Sequence, residues 1–290
     1  MGGIRFPHLG ISIPSVGKSI DVFGFSVAYY GIVIACAMVA GYFVARRQAQ
    51  RLGEDGEFVL DLAMWDIVFA ILGARIYYVV FSWEYYSAHP AEIINIRGGG
   101  MAIYGGVIGG VIATYLFSRV KKLSFLHLTD IACCGLLVGQ IIGRWGNFFN
   151  REAFGDYTDG LLAMQIPRED VRSSLDLTSE HLRHIVTVDG VEYIQVHPTF
   201  LYESLWNVGL LLVILLYTRH RKFNGQLFLM YLFGYGLGRV WIEGLRTDQL
   251  KWMGTQIAVS QILSGALVVV SGTVLFCQWW GRRRDNLETT

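Results

Sequence analysis

The sequence is poor in charge. Only 16% of its 290 residues are charged and 53% are hydrophobic, whereas an ordinary soluble domain carries about 25% charged residues. This shortage excludes the one or two soluble domains that the length alone would allow. The net charge of +1 leaves no overall field suited to nucleic acid, so no nucleic-acid partner is expected.

Cysteine is scarce as well. The four cysteines lie in apolar stretches without a CxxC pair (Cys36, Cys133, Cys134 and Cys277). This pattern excludes a disulfide framework and a zinc site, and buried thiols in apolar surroundings are usually inert. The residues imply no metal or organic cofactor. A cleavable signal peptide is not expected, because the first apolar run is too long and lacks a cleavage site.

What the chain has instead is long apolar runs. A membrane-spanning helix needs about 20 mainly apolar residues. Seven stretches fit: Phe23–Ala45, Glu57–Phe81, Met101–Ser118, Ser124–Phe149, Pro198–Thr218, Gly225–Gly244 and Thr255–Trp280. Three charged residues interrupt the second, and we expect them to form one structural polar cluster (Asp61, Asp66 and Arg75). The fold class is therefore predicted as an all-α multipass membrane protein with seven transmembrane helices and a small outer α+β cap.

The basic residues predict the orientation of these spans. Clusters of Lys and Arg follow spans one, three, five and seven, at 46–51, 119–122, 219–222 and 282–284. Cytoplasmic loops carry such an excess, so the N-terminus is predicted outside and the C-terminus inside. Residues 1–149 would hold the N-terminal outer segment and helices one to four, 150–197 the outer cap, and 198–290 helices five to seven and the cytoplasmic tail.

Within the predicted cap, Asp189-Gly190 separates two β-rich runs, which predicts a hairpin with a tight turn. Ser179–His184 could add a turn or two of helix. His181 and His184 are spaced i, i+3 but have no evident third metal ligand, so both are interpreted as surface residues. Trp83–Ile96 is aromatic and is interpreted as an interfacial stretch.

Charged residues inside spans cost roughly 2.5–3.5 kcal/mol each and often mark function. Arg144 in span four and Arg239 in span six lie near the predicted outer ends. Asn147 and Glu243 follow them at i+3 and i+4, so each pair shares a helix face. Two guanidinium groups at one depth suit a phosphate diester. Further polar and aromatic groups at similar depth suggest one cavity open to the outer leaflet (Tyr29, Tyr30, Tyr104, His197, Tyr202 and Glu203).

The segment Gly98–Gly110 is dense in glycine. It is no nucleotide-binding loop, because no strand precedes it and it runs into a span. Packing of small residues between helices, as in Gly106-x-x-x-Gly110, is the favoured interpretation. Close approach of a ligand to the backbone is the alternative, and both can hold together.

The run Gly143–Gly155 (GRWGNFFNREAFG) resembles the signature of the prolipoprotein diacylglyceryl transferases, G-R-x-G-N-F-x-N-x-E-x-x-G, at all eight fixed positions. Other segments resemble the same family in the same order: Tyr29–Gly31, Gly73–Arg75, Gly99–Gly106, His197–Glu203, and Gly238-Arg239 with Glu243. The resemblance covers nearly the whole chain.

This resemblance implies a bacterial enzyme of the cytoplasmic (inner) membrane whose active site faces the outer leaflet. Such enzymes transfer the diacylglyceryl group of phosphatidylglycerol to the lipobox cysteine thiol of a prolipoprotein signal peptide. A thioether forms and glycerol phosphate leaves, in the first step of lipoprotein maturation. The implied partners are phosphatidylglycerol, prolipoprotein signal peptides and the lipid bilayer.

The expected catalytic residues are Arg144, Arg239, Tyr104, Glu243 and Asn147, and the expected substrate-binding residues are Arg144, Arg239, Tyr30, Asn150, Glu152, Gly155 and His197. The two arginines would bind the phosphate and stabilise the charge that develops as it leaves. Structural roles compete with these assignments. Arg239–Glu243 could be a structural ion pair, His197 a helix cap, the asparagines partners of the helix-end backbone, and Glu152 an anchor of the cap.

Tyr104 departs from many family members, which have a His proposed as the base. A phenol with a pKa near 10 is a poor base at neutral pH. A thiol with a pKa near 8.5 needs only modest help from two arginines. We therefore expect Tyr104 to orient a substrate rather than to take the proton.

Two other classes compete with an enzyme. A small-molecule transporter with an outward-facing anion site would also carry charged residues in its spans, but the cytoplasmic halves of spans one, three and five are almost wholly apolar. A membrane scaffold would give no reason for paired arginines at one depth.

Overall fold

The computed structural model describes residues 2–14, 17–96, 98–252, 255 and 257–288. The protein is mostly helical. Its helices are α1 (Tyr29–Arg51), α2 (Phe58–Phe81), α3 (Trp83–Ala88), α4 (Ile103–Lys121), α5 (Phe125–Asn150), α6 (Ser179–Arg183), α7 (Thr199–Tyr217), α8 (Gln226–Leu245) and α9 (Val259–Glu288). Its strands are β1 (Ile4–Phe6), β2 (Ile11–Ile13), β3 (Ser19–Val22), β4 (Phe25–Ala28), β5 (Met164–Pro167), β6 (Val186–Val188) and β7 (Val191–Val196).

Five of the described helices are long and apolar enough to cross a membrane, namely those that begin at Tyr29, Ile103, Phe125, Thr199 and Val259. The protein is therefore a helical membrane protein. Helices α2 and α8, with 24 and 20 residues, are of similar length but carry the charged residues noted above, and they are not among the five.

A long helix lies at each of the seven predicted stretches, with two corrections at their ends. Phe23–Ala28 was predicted as the start of the first span, but it forms a turn and strand β4, so that helix begins at Tyr29. The seventh stretch was predicted to start at Thr255, whereas helix α9 starts at Val259; Gln256 lies outside the described residues.

The chain is not all-α, because it contains two antiparallel sheets. The larger has the strand order β2-β1-β5-β7-β6, and the smaller is the hairpin β3–β4. Strands β1 and β2 come from the first thirteen residues, so 150–197 does not build the larger sheet alone. The predicted hairpin is confirmed: Val188 pairs with Val191, and the two turn residues, Asp189 and Gly190, have φ values of +51° and +79°, as a two-residue turn requires.

One face of the larger sheet forms a core with the ends of two helices. Alternate strand residues point to this face, as the period of two requires, and they pack on aromatic residues near the end of α5 and the start of α7. The core consists of Ile4, Phe6, Met164, Ile166, Ile194, Val196, Phe148, Phe154 and Phe200. This packing fixes the two helix ends that carry much of the predicted site.

The chain divides into two compact units. The first comprises Met1–Gly41, Cys134–Tyr217 and Leu229–Thr290, and the second comprises Tyr42–Cys133 and Thr218–Phe228. In the second unit, α2 and α4 meet at glycines. A Cβ atom at Gly105 would lie 2.2 Å from the carbonyl oxygen of Gly73, and one at Gly109 would lie 2.1 Å from that of Phe69.

This contact confirms helix packing as a role of the glycine-rich segment but corrects the residues. At Gly106 the nearest atom to an added Cβ is 3.6 Å away, and at Gly110 none lies within 4 Å. Positions 105 and 109 point directly at α2, whereas 106 and 110 are rotated by about 100° from them, so that Gly106 is at the edge of the contact, where an added Cβ would be 3.6 Å from the carbonyl oxygen of Ala70 of α2, and Gly110 is outside it. The i, i+4 spacing was predicted, but the rotation of the helix was not.

The predicted polar cluster on α2 does not form. Asp61 pairs with Lys121 at 3.2 Å, Asp66 accepts a hydrogen bond from Thr114 at 3.1 Å, and Arg75 bonds backbone carbonyls. Fourteen residues separate the first and last of these side chains on one helix, which is about 21 Å of rise. They therefore have separate partners.

Candidate active site

The arginines predicted to share a depth meet on one carboxylate. Nη2 of Arg144 lies 2.6 Å from Oε2 of Glu203, and Nη1 of Arg239 lies 3.1 Å from Oε1 of the same residue. Only 3% of the Glu203 side chain is exposed. A buried carboxylate has two oxygens that can accept from two guanidinium groups at once. Glu203 therefore joins helices α5, α7 and α8.

Neighbouring contacts explain how three helices bring these groups together. Ser204, next to Glu203, donates to the carbonyl oxygen of Ile141, three residues before Arg144 on α5 (3.1 Å). Trp206 lies so close to Gly238 that an added Cβ there would be 2.4 Å from the indole. Glycine at 238 thus lets α7 and α8 approach closely, as small residues do between membrane helices.

The cluster extends along the C-terminal part of α8. The predicted i, i+4 pair of Arg239 and Glu243 forms, Arg246 lies 3.6 Å from Glu243, and Arg246 also pairs with Asp248 at 2.7 Å. Three arginines therefore face three carboxylates, and the formal net charge is zero. The two acceptors Glu203 and Glu243 hold Arg239 from both sides, which satisfies a guanidinium of which only 13% is exposed.

Arg144 is the arginine with donors to spare. In the part of the chain that the structure describes, Glu203 is its one protein partner, and 21% of its side chain is exposed. A guanidinium carries five N–H donors, so most of those of Arg144 remain for an external acceptor. Arg239, by comparison, is held by two carboxylates.

The end of α5 forms a second polar group around Glu152. Its Oε1 accepts from Nδ2 of Asn147 at 3.2 Å and from Nδ2 of Asn150 at 2.9 Å, and its Oε2 pairs with Arg172. The side-chain amides therefore bond Glu152 rather than the backbone at the helix end. The backbone N–H of Glu152 donates to the carbonyl of Asn147 at 3.2 Å, which closes the turn.

This turn needs unusual backbone. Arg151 and Ala153 have φ values of +53° and +56°, and a left-handed conformation costs an ordinary residue roughly 1–2 kcal/mol. The two residues flank Glu152 and fold the chain back over the last turn of α5. The predicted site residues Asn147, Asn150 and Glu152 are thereby brought together at the helix end.

Gly155 lies where three segments cross. Its N–H donates to the carbonyl oxygen of His197 at 3.0 Å, and an added Cβ would be 2.8 Å from both Cβ of His197 and the carbonyl oxygen of Leu245. Only glycine leaves room for such an approach of backbone to backbone. These contacts explain why residue 155 is a glycine: the backbone there packs against the segment before α7 and the last residue of α8.

His197 and Tyr30 lie in the same unit as the arginine cluster. Nδ1 of His197 is 3.2 Å from the hydroxyl of Tyr202, and burial lowers the pKa of His197 below its usual value of 6.5. The ring of Tyr30 packs on Gly146, where an added Cβ would be 2.6 Å from it. About 39% of Tyr30 is exposed, and this exposed part is free to contact another molecule.

Tyr104 belongs to the second unit and is described with it. It lies in the first turn of α4, 37% exposed, with its ring centroid 6.5 Å from that of Tyr77. Arg75 organises the chain just before it. The Arg75 guanidinium donates to five backbone carbonyls, those of Glu92, Ile93, Asn95, Gly99 and Gly100. All five N–H donors are thus used to hold the loop that leads into α4.

His181 corrects a prediction. It was interpreted as a surface residue, but it is fully buried, and it closes a capping box with Thr178. Its Nδ1 accepts from the N–H of Thr178 at 3.1 Å, so the neutral ring carries its proton on Nε2, which donates to the carbonyl oxygen of Gly155 at 3.2 Å. Burial lowers the pKa of His181 below 6.5.

Three residues of this site were not predicted as functional. Glu203 was predicted only as one of several groups that line an outer cavity, and Arg246 was not among the predicted site residues. A carboxylate inside an apolar helix is a signal that could have identified Glu203. For His181, the Thr178-x-x-His181 spacing of a capping box was visible in the sequence.

The chain is similar over most of its length to known proteins. The family profile described as "Prolipoprotein diacylglyceryl transferase" matches residues 18–277. A protein of Clostridioides difficile (strain 630) is 38% identical over 255 residues, which are 88% of this chain and 91% of that protein.

A protein of Bacillus mycoides (strain KBAB4) is 43% identical over 240 residues, or 83% of each chain. One of Listeria welshimeri serovar 6b is 42% identical over 248 residues, or 84% of this chain and 83% of the relative. All three relatives are named phosphatidylglycerol–prolipoprotein diacylglyceryl transferase. The resemblance carried by the signature at the end of α5 is confirmed, and the chain belongs to the prolipoprotein diacylglyceryl transferase family.

Proposed function

We propose that this protein transfers the diacylglyceryl group of phosphatidylglycerol to the lipobox cysteine of prolipoproteins. The observation that carries this function is the meeting of Arg144 and Arg239, from two different helices, on the buried carboxylate of Glu203. Such a pair presents fixed guanidinium donors to one phosphate group. The alternative of a transporter is not favoured, because the family and its relatives are named as transferases.

In this proposal seven helices cross the bacterial cytoplasmic membrane, with α2 and α8 added to the five apolar ones. The basic residues at the C-terminal ends of α1 and α4, after α7, and after the apolar part of α9 lie in the cytoplasm. The arginine cluster then lies near the extracytoplasmic surface, facing the outer leaflet, where both the lipid headgroup and an exported signal peptide are accessible.

Arg144 is the first anchor of the phosphate, because most of its donors have no partner among the described residues. Arg239 is the second, oriented by Glu203 and Glu243. A phosphate diester carries one negative charge, and the leaving glycerol phosphate carries nearly two. The guanidinium groups therefore stabilise the products of bond breaking more than the bound lipid, as catalysis by charge stabilisation requires.

The chemical step is a substitution at carbon. The cysteine sulfur, as thiolate, attacks the glyceryl carbon bonded to the phosphate oxygen. A C–S bond forms, the C–O bond breaks, and glycerol phosphate leaves with the bonding electron pair. The cluster has no excess positive charge, so it stabilises the thiolate only where the sulfur contacts the N–H donors of Arg144. This role is narrower than the one expected from the sequence, in which both arginines favoured ionisation of the thiol.

The remaining residues shape the site. Asn147, Asn150 and Glu152 hold the turn after α5, and Gly155 fixes that turn against the segments at His197 and Leu245. Tyr30, Tyr104 and His197 are assigned to orienting lipid or peptide. Glu243 positions Arg239.

The test is direct. Purified protein, supplied with phosphatidylglycerol and a lipobox peptide, should release glycerol phosphate and form a thioether. Arg144→Ala should abolish both, because it removes the donors that the lipid phosphate would use. The matched control is Arg168→Ala, which removes an exposed arginine that pairs with Glu192 on the sheet. Release that continues at the normal rate in Arg144→Ala would overturn the assignment.

A further inference from the structure

The hairpin of β3 and β4 has one apolar and one polar face. Ser19 pairs with Ala28, Ile20 with Val27, Asp21 with Ser26, and Val22 with Phe25. Because alternate residues of a strand point to the same face, one face carries Ile20, Val22, Phe25 and Val27, and the other carries Ser19, Asp21, Ser26 and Ala28.

All four side chains of the apolar face are exposed. Ile20, Val22, Phe25 and Val27 are 43%, 41%, 75% and 37% exposed. A two-stranded hairpin is marginal in water by itself, and an exposed face of this composition indicates a binding surface. The surface is a face rather than a strand edge, so it suits an apolar medium more than an added peptide strand.

The turn of the hairpin also indicates contact with an apolar medium. Phe23 is 98% exposed and has a φ of +49°, and Gly24 follows with +83°. Positive φ at both positions suits a two-residue hairpin turn, in which Asn or Gly is the usual first residue. A left-handed phenylalanine costs roughly 1–2 kcal/mol, and the Phe23 side chain has almost no contact within the described protein.

The hairpin adjoins the start of an apolar helix directly. Ala28 ends β4 and Tyr29 begins α1, with no residue between them, and the N–H of Tyr29 donates to the carbonyl oxygen of Lys18 at 3.0 Å. Both ends of the hairpin are therefore fixed at the start of α1, one of the five apolar helices. Strands of four residues extend only about 13 Å, which keeps the hairpin close to the bilayer surface.

We propose that the hairpin Ser19–Ala28 is a membrane-interface anchor whose apolar face and Phe23 insert into the lipid leaflet at the N-terminal end of α1. Aromatic side chains favour this depth. The polar face, with Asp21 and Ser26, stays in water. The hairpin would thereby set the depth and tilt of α1 in the bilayer.

Adjacent positions on opposite faces provide the test. Cysteine is introduced singly at Val22, Phe23 or Phe25 and, as the matched control, at Asp21 or Ser26, in a variant whose four native cysteines are alanine. Each is labelled with an environment-sensitive fluorophore and placed in vesicles of phosphatidylethanolamine and phosphatidylglycerol. The apolar-face labels should be blue-shifted and quenched by nitroxides near the headgroup, and the polar-face labels should be quenched by aqueous iodide.

Equal iodide quenching on both faces would overturn the proposal. So would protection of the apolar face that appears only when a lipobox peptide is added, since the face would then bind peptide. A second measurement keeps the native cysteines: benzoylphenylalanine at position 23 should cross-link to phospholipid, whereas at position 21 it should not. Absence of lipid adducts at position 23 would contradict insertion.

Discussion

Glu203→Gln is the sharpest perturbation of the proposed site. The substitution keeps the size of the side chain and one acceptor oxygen but removes the charge that Arg144 and Arg239 share. It also places an amide N–H₂ donor where a carboxylate oxygen accepted. The formal net charge of the cluster rises from zero to plus one.

The size of the expected effect of Glu203→Gln follows from the two ion pairs that it breaks. At an effective dielectric constant of about 20, each pair near 3 Å attracts by roughly 5 kcal/mol before the cost of desolvation. Breaking a buried pair by removing one partner costs about 3–5 kcal/mol net. Because glutamine retains the shape and one acceptor, we expect the free energy of unfolding to fall by about 3 kcal/mol, which thermal unfolding measures, and kcat/KM to fall because the two guanidinium groups lose the charge that orients them.

The assay is release of glycerol phosphate from phosphatidylglycerol in the presence of a lipobox peptide, with kcat and KM determined separately. Added glycerol phosphate as inhibitor supplies a second readout. The variant should bind this anion more tightly than the wild type, because a carboxylate next to the phosphate site has been neutralised. A merely structural role of Glu203 would weaken activity without tightening this inhibition.

Two variants separate the effect of the Glu203 charge from that of the side-chain length and from the loss of any carboxylate. Glu203→Asp keeps the charge on a shorter side chain, so it should recover part of the activity and the normal inhibition by glycerol phosphate. Glu192→Gln, which removes an exposed carboxylate paired with Arg168 on the sheet, should leave both unchanged. Normal kcat/KM and unchanged inhibition in Glu203→Gln would refute the reasoning that this carboxylate orients the arginine pair.

Three further predictions follow from individual contacts. Gly155→Ala should lower the melting temperature and the activity together, because its Cβ would lie 2.8 Å from the carbonyl oxygen of Leu245. The control Gly209→Ala, whose Cβ would have no atom within 4 Å, should change neither. An unchanged melting temperature for Gly155→Ala would contradict the contact. Burial lowers the folded-state pKa of His181 below its unfolded value of 6.5, so its contribution to stability should be complete above pH 6.5 and lost as the pH falls through the folded pKa. Thermal unfolding at a series of pH values checks this, and His181→Gln should flatten the dependence; an equal slope in both proteins would exclude His181 as its source. Tyr104→Phe should keep measurable transferase activity, because the residue is assigned to orientation, and complete loss of glycerol phosphate release would instead indicate a proton acceptor.

The positions of the long helices could be predicted because they depend on local properties. An apolar run of about 20 residues specifies a membrane helix wherever it lies in the chain, and each predicted stretch contains one. The hairpin at Asp189-Gly190 was predictable for the same reason, since two adjacent residues determine its turn. The first stretch was extended too far because the strand Phe25–Ala28 is as apolar as the helix that follows it.

The sites that were missed depend on contacts between distant residues. Glu203 and Arg239 are separated by 36 residues, and no local sequence pattern indicates that the Glu203 carboxylate also pairs with Arg144. His181 was placed at the surface because its burial depends on Phe154 and Gly155, which precede it by more than twenty residues. Gly106 and Gly110 were wrongly predicted as the closest packing pair, because spacing determines which residues share a face and not which way that face points.

By itself, the sequence determined the membrane class of the protein, the places of its helices and, through the signature Gly143–Gly155, its family. These follow from residue composition and order within single segments. The tertiary structure alone decided that one buried carboxylate joins the two arginines, that the N-terminal strands complete the larger sheet, and that an apolar hairpin stands uncovered before α1. The physical reason is that helix rotation, strand partners and ion pairs are fixed by packing between segments far apart in the chain, which a single segment cannot encode.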